Sequence, residues 1–162
     1  MMTLHTDFVE TARVYCDLID HLDGGDTVWL ERLAKLLPRL HAAVAEMDQS
    51  KARADICSSE QDLDDRFELF SRLHALLGER DPYWLEFDVA SDGQLMTGSL
   101  ADDLTDIFCE LKVGLEMLEN HPEKRSSALN RLCSSYKIHW GQHLMDAQRH
   151  LYELSARNQL RF

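Results

Sequence analysis

The chain predicts an all-α fold: a five-helix antiparallel bundle with a short extended or hairpin segment near residues 83–96. Three observations carry this. Apolar residues recur at helical spacing in five stretches, and Gly, Pro and polar connectors separate those stretches. A period of two occurs in one short stretch, where Tyr83, Leu85, Phe87 and Val89 alternate with Trp84, Glu86 and Asp88. At 162 residues the whole chain, 1–162, reads as one helical domain with a frayed tail from about residue 156. Such a domain buries roughly 70% of its unfolded surface and needs no disulfide or metal to hold it together.

The first helix is expected from about Thr6 to Leu22, with Phe8, Ala12, Tyr15, Leu18, Ile19 and Leu22 on one stripe, ending at Gly24-Gly25. The second starts on a cap at Asp26 or Thr27 and runs to about Met47 through Leu30, Leu33, Leu37, Leu40 and Val44. Pro38 lies inside it; its missing amide predicts a kink or a break into two helices. Gln49 to Ser58 reads as a polar loop. Ser58 or Ser59 caps a third helix through Leu63, Phe67, Phe70, Leu73 and Leu77, and Gly78 ends it. After the alternating segment, Asp92-Gly93 is a turn signal. The Tyr83-Trp84-Phe87 aromatics are expected to cover one end of the bundle, with a pocket lining as the alternative.

Ser99 with Asp102 resembles a capping box, opening a fourth helix whose buried stripe is Leu100, Leu104, Ile107, Leu111, Leu115 and Leu118. Asn120-His121-Pro122 ends it. The final and longest helix is expected from about Glu123 to Ser155 through Leu129, Leu132, Tyr136, Trp140, Leu144, Ala147, Leu151 and Leu154. The short connector makes these last two helices an antiparallel pair.

Composition narrows the function classes. With 17 Lys and Arg against 29 Asp and Glu, the net charge is −12. That surface repels phosphate backbones and anionic lipid, so neither nucleic acid nor a membrane is an expected partner. No apolar run approaches the roughly 20 residues of a membrane span. The start MMTLHTDFVE lacks the basic and apolar regions of a signal peptide. Cys16, Cys57, Cys109 and Cys133 are scattered and unpaired in pattern, so a reducing cytoplasm is expected. No nucleophile motif and no Gly-rich phosphate loop is present.

Two constellations carry chemistry. Asp102, Asp103 and Asp106 have the Asp-Asp-x-x-Asp spacing that holds magnesium when one helix face presents it. At about 100° per residue, however, Asp102 and Asp106 fall roughly 150° from the leucine stripe and are expected in solvent, complementing the helix dipole. Asp103 and Glu110 fall at the border of the core. On the last helix His139, His143, Asp146 and His150 share a strip beside the Leu132–Tyr136–Trp140 stripe. Two histidines four apart chelate one ion when another helix adds a ligand. The metalloprotease glutamate is missing, Trp140 standing in its place. As structure alone, these would be half-buried boundary histidines, with His150 exposed. Trp140 is expected to be buried. Gly141 is expected to admit a neighbouring helix, with a functional kink as the alternative. Cys109 is placed on the exposed side of its helix and Cys133 on the buried side.

The segments FVETARVYCDLI, LLPRLHAAVAEM, SLADDLTDIFCELKVGL and HWGQHLMDAQRHLYEL together resemble a bacterial family described only as domain of unknown function 5063. The resemblance spans nearly the whole chain and is strongest from Ser99 to Leu154. It implies a compact helical domain in a bacterial cytoplasm and no particular activity. It marks Asp102, Asp103, Asp106, His139, Trp140, Gly141 and His143 as candidates for whatever the family does.

Two functions compete. The first is a non-enzymatic protein-interaction module that needs no cofactor. The second is a bundle binding a divalent ion (manganese, iron or zinc) through Asp103, Glu110, His139 and His143, with Glu46 or Glu10 as a candidate further ligand and hydrolysis as its candidate chemistry. The interaction module is the expected function, protein the expected partner, and oligomeric state is left open.

Overall fold

The computed structural model describes residues 2–26, 28–47, 62–86 and 95–160. Its elements, in order, are α1 (Met2–Asp20), α2 (Trp29–Ala45), α3 (Leu63–Leu77), β1 (Pro82–Glu86), β2 (Leu95–Ser99), α4 (Leu100–Asn120), α5 (Arg125–Ser135) and α6 (Gly141–Ala156). A π turn, Tyr136–Trp140, joins α5 to α6, so the two form the last of five helical rods, the longest among the described residues. α4 is the axial helix, touching α1, α3, α5 and α6, while α2 packs on α1 and α6. Its core stripe Leu100, Leu104, Ile107 and Leu111 is fully buried.

The ends of the elements follow local chemistry. α2 starts at Trp29 with no side-chain cap; Asp26 instead accepts the Val28 amide within the preceding turn. Thr27 lies outside the described residues, as do the expected polar loop, the Ser58 or Ser59 cap, and Phe87 with the Asp92-Gly93 turn. The cap that α3 does have is Asp62, whose carboxylate accepts the Asp64 amide. Gly78 ends α3 with φ of 54°, a conformation that favours glycine. Of the two outcomes expected at Pro38, a kink or a break, the break does not occur: α2 runs through it from Trp29 to Ala45. The proline withdraws one amide, and the buried Leu33, Leu36, Leu37 and Leu40 hold the helix on both sides of it.

The alternating segment is one strand of a hairpin: β1 pairs antiparallel with β2, Tyr83 opposite Gly98. Tyr83 points inward and Trp84 outward, so these two do not pack as one cluster. Asp81, just before β1, anchors the start of α4. Its buried carboxylate accepts the Ser99 hydroxyl and the Ala101 amide, and its carbonyl accepts the Leu100 amide. Ser99 in turn accepts the Asp102 amide, as its capping spacing predicts.

α4 and the last rod are antiparallel, pairing Gly114 with Leu132, Glu110 with His139 and Asp103 with His143. The glycine that brings helices together is Gly114, where an added Cβ would lie 2.4 Å from Leu132. Gly141 has a different role. Its amide reaches back five residues to the Tyr136 carbonyl, and a Cβ there would lie 2.4 Å from that oxygen. The π turn therefore depends on a glycine at this position. Trp140, fully buried, ties the turn down by donating from its indole to the Leu132 carbonyl and Ser135 hydroxyl. Gln159 donates its amide to Leu154, and Leu160 is buried against the bundle. No helix among the described residues is long and apolar enough to cross a membrane.

Candidate metal centre

Residues of the first three turns of α4 meet His139 within the π turn and His143 just after it. His143 Nδ1–H donates to Asp103 Oδ1 at 2.8 Å, and its Nε2 lies 3.2 Å from Asp106 Oδ2. His139 Nδ1–H donates to Glu110 Oε1 at 3.2 Å. The two imidazoles stand edge to face with centroids 5.1 Å apart. His139, His143 and Asp106 each offer a ligand atom, all within 4.8 Å of one another. A tetrahedral ion with bonds of about 2.0–2.1 Å needs its ligand atoms about 3.4 Å apart, so modest side-chain adjustment closes the site.

All four residues singled out from the sequence thus come to one seam, in two different roles. Asp103 and Glu110 sit behind the histidines, each on an Nδ1–H. Carboxylates in that position fix the tautomer, orient the ring and leave Nε2 as the free donor atom. The carboxylate beside the histidines is Asp106, which the wheel had placed in solvent. It is 8% exposed. A wheel assumes one buried face, whereas α4 is covered from two sides, and α3 lies over the face that carries Asp106.

From α3 comes a residue the sequence reading missed. Arg66 donates to Asp106 Oδ1 from Nε at 3.0 Å and Nη2 at 2.6 Å, and to Asp102 Oδ1 at 3.0 Å. It orients Asp106 and leaves Oδ2 for the histidine side. No local signal marks Arg66, because the contact spans 40 residues of chain. Arg66 also walls a cleft of about 590 Å³ between α3 and α4, with Cys109 and Lys112. Cys109 is half-buried rather than exposed, and burial pushes its thiol up to about 11, which favours the protonated form at neutral pH.

The remaining candidates lie elsewhere. Asp146 accepts a hydrogen bond from Gln142, and Glu10 and Glu46 are exposed. His150 is 3% exposed, not solvent-facing as expected. It lies two helical turns, about 10.5 Å, beyond His143, too far to share an ion. Its ring stacks on Tyr83 and its Nε2–H donates to the Arg80 carbonyl, which buries it under the hairpin.

The protonation states follow from these contacts. The hydrogen bond to Asp103 raises the His143 pKa above the ordinary histidine value, against the opposing effect of burial. Burial raises Asp103, while its bonds from His143 and Tyr83 pull it back. Burial, then the neighbouring Asp103, keeps Tyr83 protonated as a donor.

No curated protein matches the chain. Among solved structures it is similar to the crystal structure of protein BF1032 from Bacteroides fragilis. The TM-score is 0.72 and the identity 19%, over 92% of this chain and 90% of that one. At that identity the likeness concerns the fold. Residues 2–157 match the family described as Domain of unknown function (DUF5063), and the chain belongs to that family.

Proposed function

We propose that this protein binds one divalent transition ion through Asp106, His139 and His143. A single observation carries the reading: each histidine gives its Nδ1–H to a separate carboxylate, Asp103 or Glu110, on the helix that also supplies the third ligand. Two imidazoles and one carboxylate form a donor set suited to iron(II), zinc or manganese. Three protein ligands leave coordination positions for water, as in catalytic rather than closed structural sites. When bound, such an ion lowers the pKa of its water, so hydrolysis is the reaction class we assign to the centre. The π turn supports this, since single π turns within helices are frequent at functional sites.

The test is metal analysis of untagged protein, with thermal unfolding in the presence of manganese, iron(II), zinc or a chelator. The parent should gain several degrees with at least one ion, and the His139→Gln/His143→Gln double variant should gain none. Equal responses in the two, or no response in either, would reduce the cluster to a proton-bridged ion network.

A protein-interaction role has its own support in Leu63 and Phe67 of α3, 75% and 68% exposed. Concentration-dependent self-association that Phe67→Ser abolishes would favour it, and a monomer at all concentrations would count against self-association. The thiols of Cys16 and Cys109, which form no disulfide, fit a cytoplasmic setting.

A further inference from the structure

We infer that Tyr83 is a further positioning residue of this centre, so that the β1–β2 hairpin tunes its affinity for the ion; the inference rests on the metal reading above. Asp103 has two oxygens with different partners. Oδ1 accepts from His143, and Oδ2 accepts the Tyr83 hydroxyl. The carboxylate is buried, so no solvent competes for Oδ2. With both oxygens occupied, the carboxylate plane cannot turn, and His143 keeps Nδ1–H toward Asp103 and Nε2 toward Asp106.

Tyr83 is itself held on every side. Its ring stacks on His150 with centroids 4.7 Å apart, and the Arg149 guanidinium lies 5.8 Å from its centroid. Arg149 also donates to the Trp84 carbonyl at 3.1 Å, and His150 to the Arg80 carbonyl at 2.7 Å, so α6 holds the strand at Trp84 and the turn that leads into it at Arg80. Opposite Tyr83 stands Gly98, where a Cβ would lie 2.3 Å from the ring. A side chain at 98 would push the hydroxyl off Asp103. The hairpin, α6 and the ligand helix are thus joined through one phenol.

Tyr83→Phe keeps the ring and its stack and removes the oxygen alone. Zinc affinity is measured by competition with a chromophoric chelator, for the parent, Tyr83→Phe and Trp84→Ala. Loss of an outer partner weakens metal binding typically 10- to 100-fold. That loss is expected for Tyr83→Phe, whereas Trp84→Ala, an exposed neighbour on the same strand, should match the parent. Nitrogen NMR of His143 in chelator-treated protein, at a pH high enough to leave the imidazole neutral, supplies a readout that a merely structural residue would not move: the Nδ1–H tautomer should dominate in the parent and lose population in Tyr83→Phe. If Tyr83→Phe does not fold by circular dichroism, Gly98→Ala carries the same expectations. A parent that takes up no zinc overturns the metal reading. A parent that binds zinc, with Tyr83→Phe binding equally and its tautomer unchanged, overturns the role of Tyr83 and leaves the metal reading standing.

Discussion

Replacing Asp106 by alanine separates the sequence-level view of the acidic motif from the tertiary one. Asp102 and Asp106 sit one turn apart on α4, and a helical wheel gives them the same environment. The structure does not. The Asp106 side chain is 11% exposed, with two donors from Arg66 on one oxygen and His143 beside the other. The Asp102 side chain is 45% exposed and has one contact with Arg66. Hydrogen bonds to charged groups contribute about 1.5–3 kcal/mol each, and removing one partner of a buried pair costs about 3–5 kcal/mol because the other charge is stranded. Arg66 keeps Asp102 and some solvent access, so Asp106→Ala is expected near the lower bound, about 3 kcal/mol. Asp102→Ala removes a solvent-screened contact worth at most about 1 kcal/mol. Urea unfolding with a chelator present measures both without a metal contribution; the midpoint should move and the slope should not. The thermal midpoint of Asp106→Ala should fall by roughly 6–12 °C. If both variants lost less than about 0.5 kcal/mol, as surface positions do, the burial of Asp106 under α3 would be refuted.

Gly141→Ala should lower thermal stability and weaken metal binding together, because a Cβ 2.4 Å from the Tyr136 carbonyl forces the π turn to rearrange. An alanine variant with parental melting and metal response would show that the turn does not depend on glycine. Trp140→Ala should cost about 3–5 kcal/mol in urea unfolding, as a fully buried indole with two hydrogen bonds. In chelator-treated protein, stability should fall as pH rises through the raised folded pKa of His143. The sign follows from linkage: the folded state holds that proton more tightly, so its contribution is complete below about 6.5 and lost above the folded value. Asp103→Asn should flatten this dependence in urea midpoints taken across pH 5 to 9, and a parent curve that rises over that range would contradict the assignment. Asp81→Ala, removing the buried acceptor of the Ser99 hydroxyl and Ala101 amide, should cost about 2 kcal/mol or more and fray the start of α4 in hydrogen exchange.

The helices were legible because their signals are local. Leucine periodicity, Ser99 as a cap, Gly78 as a stop and the alternation around Tyr83 each operate within one or two turns of chain, and each appears where the spacing predicts. The last two helices could be paired from their short connector, and with them Asp103, Glu110, His139 and His143. Other features were not legible in this way. The π turn at Tyr136–Trp140 requires a carbonyl five residues back to find the Gly141 amide, a choice enforced by burying Trp140. Pro38 passes unbroken because packing on both sides outweighs one missing hydrogen bond.

By itself the sequence determined an all-α bundle and the two helices that carry imidazoles and carboxylates, since amphipathic spacing dictates which face of each helix turns inward. Only the tertiary structure decided what those groups do. α4 is covered by α3 as well as by the last rod, which buries Asp106, brings Arg66 to it and sends His150 beneath the hairpin. A helix wheel encodes one inward face per helix. A second covered face arises from contacts between residues tens of positions apart, and those contacts sorted the four residues singled out from the sequence into two adjacent histidines and two carboxylates that each accept an Nδ1–H.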